Sequence, residues 1–242
     1  MFTEEYAAAY AQIHFEKDYR IEVLNLIKNT QIKKNHHILD FGCGSGNHMQ
    51  ELMSLGYKVE GYDVSTDMIS VAKKRGIPDE LLHNEFRKIA KRYDLVYSLF
   101  DVISYQITEE QLSNYFLQIS SILNPGGTIV FDGWHSSGVR LAKPEKRIRT
   151  FMLKDLLVDR IVIPFSEGLG SDIYSLRIEL VDSLTGRILT SEIHRLRAWS
   201  INEIRKNASS FGVVVSEVRD GRLNNQKLSK ESWRFMVQMK RN

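Results

Sequence analysis

The sequence predicts an α/β protein with a doubly wound, mostly parallel seven-stranded sheet, N-terminal helices and a small inserted antiparallel sheet. Three observations support this prediction. Short runs of strand-forming residues alternate with helix-like segments through the first half of the chain. A glycine-rich segment follows the first predicted strand, where such folds bind ligands. From about residue 136 the pattern changes to the alternation that is typical of antiparallel strands.

The predicted elements of the core follow one another in regular order. Two helices are expected between residues 6 and 27, broken near residues 16–18. The core then alternates strand 38–41, helix 47–55, strand 58–62, helix 66–75, strand 94–99, helix 109–123 and strand 128–131. An Asn-Pro-Gly-Gly turn precedes the last of these strands. This order predicts a parallel sheet with helices on both faces.

The second half predicts an insertion and the end of the core sheet. Strands 174–180 and 187–193 are joined by a polar loop and predict a hairpin. A helix over residues 201–211 and strands 213–218 and 233–239 are expected to finish the main sheet. We therefore expect four parts, which are a helical lid (1–35), a cofactor-binding core (36–135), an antiparallel insertion over the acceptor site (136–199) and the end of the core sheet (200–242).

Composition excludes several classes of protein. The 33 basic and 30 acidic side chains give a formal charge of +3, which is too weak to indicate nucleic acid binding. The apolar runs at residues 128–131 and 161–165 are far shorter than the roughly 20 residues of a membrane helix. A single cysteine, Cys43, fits a reducing compartment, and the acidic N-terminus does not resemble a secretion signal. A cytoplasmic location is expected.

The strongest motif is the segment Gly-Cys-Gly-Ser-Gly at residues 42–46. Glycines at alternate positions between a strand and a helix let a ligand approach the backbone closely. The dinucleotide fingerprint G-x-G-x-x-G does not fit, because Asn47 or Met49 occupies the position of its third glycine. A dehydrogenase is therefore disfavoured.

Two acidic residues complete this motif. Asp63 ends the second predicted strand, where its carboxylate is placed to accept both hydroxyls of a ribose. Asp40 precedes the glycines and is placed to meet the positive end of a ligand's amino acid moiety. Over residues 38–134 these features resemble the class I methyltransferases, whose cofactor is S-adenosylmethionine.

The resemblance implies a cofactor site in which each residue has a role. It places Glu85 at the adenine amino group, Met68 over the adenine face, and Leu99 beside the methionine part of the cofactor. Core packing or a solvated surface position explains several of these residues equally well. The full set implied or predicted is Tyr10, Tyr19, Asp40, Gly42, Cys43, Gly44, His48, Asp63, Val64, Met68, Glu85, Phe86, Leu99 and Phe100.

Further segments resemble methyltransferases of sugar pathways, including nucleotide-linked amino-sugar N-methyltransferases and enzymes of surface-glycan synthesis. These segments are residues 10–19, 98–106, 131–134 and 192–195. Two departures from the glycan-type pattern lie where the acceptor is expected. Asp101 replaces a histidine, and Ser-Ser-Gly follows Trp134 and His135 in place of a Gly-Pro turn. The identity of the acceptor therefore stays open.

The predicted catalytic residues on the acceptor side are Asp101, Tyr105, His135 and His194. An amine acceptor with a pKa of about 8 to 10 needs less activation than a hydroxyl with a pKa near ~15.7. No metal site is expected, which favours nitrogen. A basic cluster suits a diphosphate or is simply solvated, and it contains Arg140, Lys143, Lys146, Arg147 and Arg149.

The sequence favours N-methylation of a nucleotide-linked amino sugar, with two alternatives left open. These are O-methylation of a sugar or another small metabolite, and a cofactor-binding subunit without catalysis. Residues 99–102 read Leu-Phe-Asp-Val, which lacks the motif of nucleic acid methylation. We expect a small-molecule acceptor and neither nucleic acid nor membrane as a partner, and a homo-oligomer stays open.

Overall fold

A seven-stranded sheet forms the centre of the protein in a computed structural model, which describes residues 4–14, 16–168, 170–221 and 226–242. Residue 15 of the predicted N-terminal motif lies outside the described residues. The chain forms, in order, strands β1 (His37–Phe41), β2 (Lys58–Tyr62), β3 (Leu82–His83), β4 (Tyr93–Ser98), β5 (Leu123–Trp134), β6 (Arg147–Leu153), β7 (Leu156–Ser166), β8 (Ile173–Asp182), β9 (Ile188–Arg197), β10 (Val213–Asp220) and β11 (Arg234–Arg241).

The strand order of the large sheet confirms the predicted fold class. The order is β10-β11-β5-β4-β1-β2-β3, and the strands from β5 to β3 pair in parallel. Strand β11 runs antiparallel to both of its neighbours in this sheet, β5 and β10. From β1 to β3 successive strands are added toward one edge of the sheet, and from β4 to β5 they are added toward the other edge. The strand order therefore switches direction between β1 and β4, although these two strands are parallel. Ligands bind at the carboxyl ends of the strands at such a reversal.

The helices cover both faces of this sheet. They are α1 (Glu4–Ile13), α2 (Tyr19–Thr30), α3 (Asn47–Ser54), α4 (Thr66–Lys74), α5 (Glu109–Ile122), α6 (Ser136–Leu141) and α7 (Ile201–Ser209). Among them, α2, α3 and α4 bury apolar side chains against one face, whereas α5 and α7 pack on the other. Both faces of the central strands are therefore covered, which explains their continuous apolar sequences.

The predicted turn at residues 124–127 is realised inside a strand. Tyr93 pairs with Leu123 and Leu95 pairs with Thr128. Residues 124–127 of β5 therefore lie opposite the single residue Asp94 of β4. The amide of Asn124 donates to Asp94 at 2.8 Å and anchors the irregularity. The prediction of a turn before the strand was wrong in its boundary, because β5 continues through it to Leu123.

The second sheet is larger than the sequence indicated. Its order is β6-β7-β8-β9, and the β8–β9 pairing confirms the predicted hairpin. The strands β6 and β7 were not predicted, because charged residues interrupt their alternation. Helix α1 packs on this sheet through an apolar cluster that includes Tyr6, Ile13, Phe151, Val162 and Ile178. The N-terminal helix therefore joins the small sheet to the core.

Within the residues that the structure describes, no helix is long and apolar enough to cross a membrane.

Candidate active site

The glycine loop has one open position between two tightly packed ones. Gly42, Gly44 and Gly46 all have positive φ, at 90°, 52° and 77°. A Cβ on Gly42 would lie 2.6 Å from Val102, and one on Gly46 would lie 2.0 Å from Ile77. A Cβ on Gly44 would meet no atom within 4 Å. Packing explains two of the glycines, whereas Gly44 presents its backbone to open space.

Asp63 ties this loop to the end of β2. Its Oδ2 accepts a hydrogen bond of 2.8 Å from the Gly44 amide, and its Oδ1 accepts one of 2.8 Å from the Ser65 amide. Burial raises the pKa of Asp63, while these two amides act in the opposite direction. Each carboxylate oxygen retains a further lone pair, so the geometry fits two ribose hydroxyls.

Two buried polar atoms beside the loop lack hydrogen-bond partners among the described residues. They are Oδ2 of Asp40 and the hydroxyl of Tyr19. Burial raises the pKa of Asp40 to about 7 and that of Tyr19 to about 12. The Tyr97 hydroxyl, too far from Asp40 for a hydrogen bond of ordinary length, is still near enough to act against the rise in the pKa of Asp40. Unsatisfied buried groups of this kind are costly, and a bound polar ligand relieves them. One acceptor and one donor fit the ammonium and carboxylate of the methionine part of the cofactor.

We expect the affinity for S-adenosylhomocysteine to increase with pH through the titration of Asp40. A ligand ammonium binds the ionised carboxylate, so a pKa of about 7 makes binding about tenfold weaker at pH 6 than at pH 8. The free protein should show the reverse trend in stability. Its folded state retains a proton that the unfolded state releases, so the free energy of unfolding falls as pH rises from about 4 to about 7.

Calorimetric titration from pH 5.5 to 8.5 measures this dependence. In Asp40→Asn the pH dependence of binding should disappear, whereas Asp79→Asn, whose carboxylate is exposed and pairs with Lys73, should retain it. An unchanged slope in Asp40→Asn would contradict the assignment.

Aromatic side chains of α1 and of the segment after β4 pack against one another. His14 lies 4.5 Å from Tyr10 and 5.0 Å from Phe100 between ring centroids. The ammonium of Lys17 lies 3.7 Å from the centroid of Phe100. Burial lowers the pKa of His14 to about 3, with Arg160 contributing, so His14 is neutral at physiological pH. Phe100 and Asp101 have positive φ, at 74° and 66°, a strained conformation that is typical of functional sites.

Two predicted catalytic residues lie in direct contact. The hydroxyl of Tyr105 lies 2.9 Å from Nδ1 of His194, although 89 residues separate them. The other ring nitrogen of His194 lies 2.7 Å from Oε2 of Glu192. Glu192 was not among the predicted functional residues. Its position two residues before His194 on a strand was the available signal, because such residues share one face of a sheet.

Asp101, a further predicted catalytic residue, already has a cationic partner. Its carboxylate is buried and accepts a 2.5 Å hydrogen bond from Arg234, which compensates its charge. Its backbone amide donates to Asp132. Oδ1 of Asp101 has no hydrogen bond of ordinary length among the described residues, and burial raises the pKa of Asp101 while the nearby indole of Trp134 acts to lower it. Nothing in the sequence indicated Arg234, which lies 133 residues away.

His135 lies at a junction of the backbone. Its Nδ1 is 2.9 Å from the carbonyl of Ser232, and its amide donates to the carbonyl of Trp233. Contacts of this kind fix the chain after β5. Neither contact involves the pair of Tyr105 and His194.

Several predicted cofactor residues also have partners within the protein. His48 is buried and lies 2.6 Å from Oε2 of Glu22, so it links α3 to α2. Glu85 forms ion pairs with Arg87 and Lys88 that lower its pKa, and its carboxylate is therefore already engaged.

The other predicted cofactor residues differ in exposure. Phe86 packs against Phe41 and Tyr62 at centroid distances of 6.5 and 6.0 Å. Met68, Leu99 and Cys43 are buried, whereas Val64 is 65% exposed. Of these residues, Val64 is the one that presents an open surface next to Asp63.

Two of the five members of the predicted basic cluster form ion pairs within the protein. Arg140 pairs with Asp172, and Arg149 pairs with Glu16. The remaining members, Lys143, Lys146 and Arg147, are exposed. No group of three or more acidic, histidine or cysteine side chains suited to a metal ion occurs within the described ranges.

Comparison with protein families gives a match over part of the core. Residues 38–127 match the model of a family described as a methyltransferase domain. The match begins in β1 and includes the glycine loop, Asp63 and Asp101. The predicted resemblance to methyltransferases is confirmed over this region.

Curated relatives give a more particular likeness. The chain is 29% identical over 124 residues to dTDP-3-amino-3,4,6-trideoxy-alpha-D-glucopyranose N,N-dimethyltransferase of Streptomyces venezuelae, covering 49% of this chain and 52% of that protein. It is 27% identical over 140 residues to dTDP-3-amino-3,6-dideoxy-alpha-D-glucopyranose N,N-dimethyltransferase of Streptomyces fradiae, covering 55% and 54%. The chain thus spans about half the length of the curated relatives it matches.

Solved structures resemble the whole chain. An S-adenosylmethionine-dependent methyltransferase from Clostridium acetobutylicum has a TM-score of 0.76 at 20% identity, covering 97% of this chain and 96% of that one. An amino pentose methyltransferase from Micromonospora echinaspora has a TM-score of 0.75 at 18% identity, covering 100% and 98%. At this identity the likeness establishes the fold, including the small sheet.

Proposed function

We propose that the protein transfers a methyl group from S-adenosylmethionine to the amino group of a nucleotide-linked sugar. The observation that carries the methyl-donor part is the cradle formed by Gly44, Asp63, Asp40 and Tyr19. It combines an open glycine backbone, a ribose-suited carboxylate and two unsatisfied buried polar atoms. The class of acceptor rests on the two amino-sugar relatives.

When bound, S-adenosylmethionine supplies an electrophilic methyl group on a sulfonium, which an acceptor lone pair attacks in line. The chain contributes position and exclusion of water. Asp63 holds the ribose, Asp40 and Tyr19 hold the amino acid end, and Phe100 and Tyr10 enclose the methionine part. Tyr105 and His194 lie on the acceptor side, where the proton of an incoming ammonium has to be removed.

The exposed cations Lys143, Lys146 and Arg147 are suited to the diphosphate of a nucleotide. They lie at the start of the small sheet, in the part of the chain proposed to cover the acceptor. We also propose the cytoplasm as the site of action, since a buried free Cys43 fits a reducing compartment.

Incubation with labelled S-adenosylmethionine and a panel of nucleotide sugars tests the proposal. The panel pairs dTDP-linked 3-amino sugars with the corresponding 3-hydroxy sugars. Label in the amino sugars alone supports N-methylation, and label in the hydroxy sugars indicates O-methylation instead. Binding of S-adenosylhomocysteine without any transfer favours a non-catalytic subunit, and lack of binding contradicts the proposal as a whole.

A further inference from the structure

Tyr105, His194 and Glu192 form a hydrogen-bonded chain that leads from the candidate site into the small sheet. The two contacts measure 2.9 Å and 2.7 Å. His194 is 2% exposed and Glu192 is 5% exposed, whereas Tyr105 is 38% exposed. Tyr105 is therefore the member nearest the surface, with part of its side chain exposed and its hydroxyl buried against His194, and the other two lie behind it.

The chemistry of the three groups sets the direction in which a proton can move along these hydrogen bonds. A carboxylate only accepts hydrogen bonds, and a neutral imidazole has one donor and one acceptor nitrogen. Glu192 therefore holds the proton of His194 on Nε2. Nδ1 is left as an acceptor for the Tyr105 hydroxyl, so a proton can move from Tyr105 toward His194.

The surroundings keep Tyr105 in its neutral form. Burial raises the pKa of its hydroxyl, and the nearby Tyr6, Asp101, Glu192 and Asp63 act in the same direction. Because its pKa is raised, the Tyr105 hydroxyl stays protonated at neutral pH and cannot act as a phenolate base. It accepts a proton only if it passes its own proton on at the same time.

Charged and titratable groups face this chain from every packed element. The ring of Tyr6 on α1 lies 6.3 Å from that of His194, and Arg160 on β7 donates to the Tyr6 hydroxyl at 2.9 Å. Other groups that act on this chain include Tyr10 on α1, Asp101 after β4 and Asp63 after β2. Val102, three residues before Tyr105, packs against Gly42 of the glycine loop, so this hydrogen-bonded chain begins beside the proposed cofactor cradle.

We propose that Tyr105, His194 and Glu192 form a proton relay that converts an ammonium acceptor into the neutral amine. Tyr105 is the catalytic residue, and Glu192 is a positioning residue that acts through His194. This inference rests on the proposed N-methylation.

In this relay the N–H bond of the ammonium breaks and its proton passes to the Tyr105 oxygen. The hydroxyl proton of Tyr105 moves at the same time to Nδ1 of His194. The carboxylate of Glu192 stabilises the imidazolium that forms. The nitrogen keeps the electron pair of the broken bond as a lone pair, and this lone pair is the nucleophile in methyl transfer. After product release the proton returns through Tyr105 to solvent.

The pH profile of Tyr105→Phe tests the relay. With a dTDP-linked 3-amino sugar as acceptor, kcat should be about 10- to 100-fold lower than in the wild type at pH 7, because only about 1 to 10% of an amine with a pKa of about 8 to 9 is neutral there. The two enzymes should converge near pH 9.5, where most of an amine with a pKa of about 8 to 9 is neutral without help. The KM for the acceptor should change little. A defect of equal size at every pH indicates a structural role and overturns the proposal.

The protonation of His194 gives a second readout that does not depend on turnover. Nitrogen-15 NMR of the wild type near pH 7 should show a proton on Nε2 and none on Nδ1. Protons on both nitrogens would overturn the relay. Glu192→Leu should shift His194 toward a mixture of tautomers and lower kcat at pH 7 in the manner of Tyr105→Phe, and Glu192→Gln should be intermediate.

Control variants separate the relay from the proposed function. Glu167→Gln changes another glutamate facing the small sheet, which binds Arg195 and Ser175, and should leave the pH profile unchanged. Calorimetry with S-adenosylhomocysteine checks that each variant folds and binds. If the wild type transfers no methyl to amino sugars, N-methylation fails. If it does and Tyr105→Phe keeps the wild-type profile, the relay alone fails.

Discussion

Replacing Asp63 with alanine is expected to weaken S-adenosylhomocysteine binding by more than about 100-fold. Two charge-assisted hydrogen bonds to a ribose contribute about 1.5 kcal/mol or more each, and both are lost. The substitution also frees the Gly44 and Ser65 amides that Asp63 now holds. Both effects act on the same site, so binding should suffer more than folding.

Calorimetric titration of Asp63→Ala and Asp79→Ala tests this expectation. Asp79 is also an aspartate near the end of a core element, but its side chain is 73% exposed and pairs with Lys73. Its replacement should leave binding unchanged. Thermal unfolding of both variants shows whether the loop survives. Wild-type affinity in Asp63→Ala would remove the ribose assignment.

Replacing Gly44 with alanine is expected to weaken binding by about 30-fold, which corresponds to roughly 2 kcal/mol. The added methyl group meets no protein atom within 4 Å, so it projects into the space proposed for the cofactor. The positive φ of 52° imposes a backbone cost on alanine as well. That cost lowers stability in the free protein, whereas the steric cost appears on binding.

Gly126→Ala separates these two costs. Gly126 also has a positive φ, at 73°, and also has open space around its Cβ position, but it lies in the irregularity at the start of β5. Both variants should lose a similar amount of thermal stability, and Gly44→Ala alone should lose affinity. Equal affinity in the two variants would show that the space beside Gly44 does not hold the ligand.

Local sequence patterns were sufficient to predict the parallel core. The strands around the glycine loop are short, apolar and separated by helices of ordinary length, so their order follows from simple rules of connection. Asp40, Gly44 and Asp63 were identified because each sits next to a strand end. Parallel strands end at the same edge of the sheet, so such residues lie close together independently of how the rest of the chain folds.

The acceptor side was predicted less completely, because its contacts join distant parts of the chain. Tyr105 and His194 were both candidates, but the pairing across 89 residues depends on how β9 packs against the loop after β4. Arg234 compensates Asp101 from the last strand of the sheet. Contacts of this kind, between residues far apart in the sequence, cannot be predicted from periodicity or spacing. Strands β6 and β7 were missed because their charged residues resemble a solvated surface segment.

Helix α1 has a consequence for the timing of a catalytic cycle. It packs against the small sheet through Tyr6 and Ile13, and Tyr10 lies close enough to Asp63 for this carboxylate to raise the pKa of Tyr10. A ligand held by Asp63, as proposed, would lie next to this helix. We expect exchange of the proposed methyl donor to require movement of α1, so the rate of that movement would set an upper limit on turnover. An acceptor that takes two methyl groups would then wait through one such movement between them.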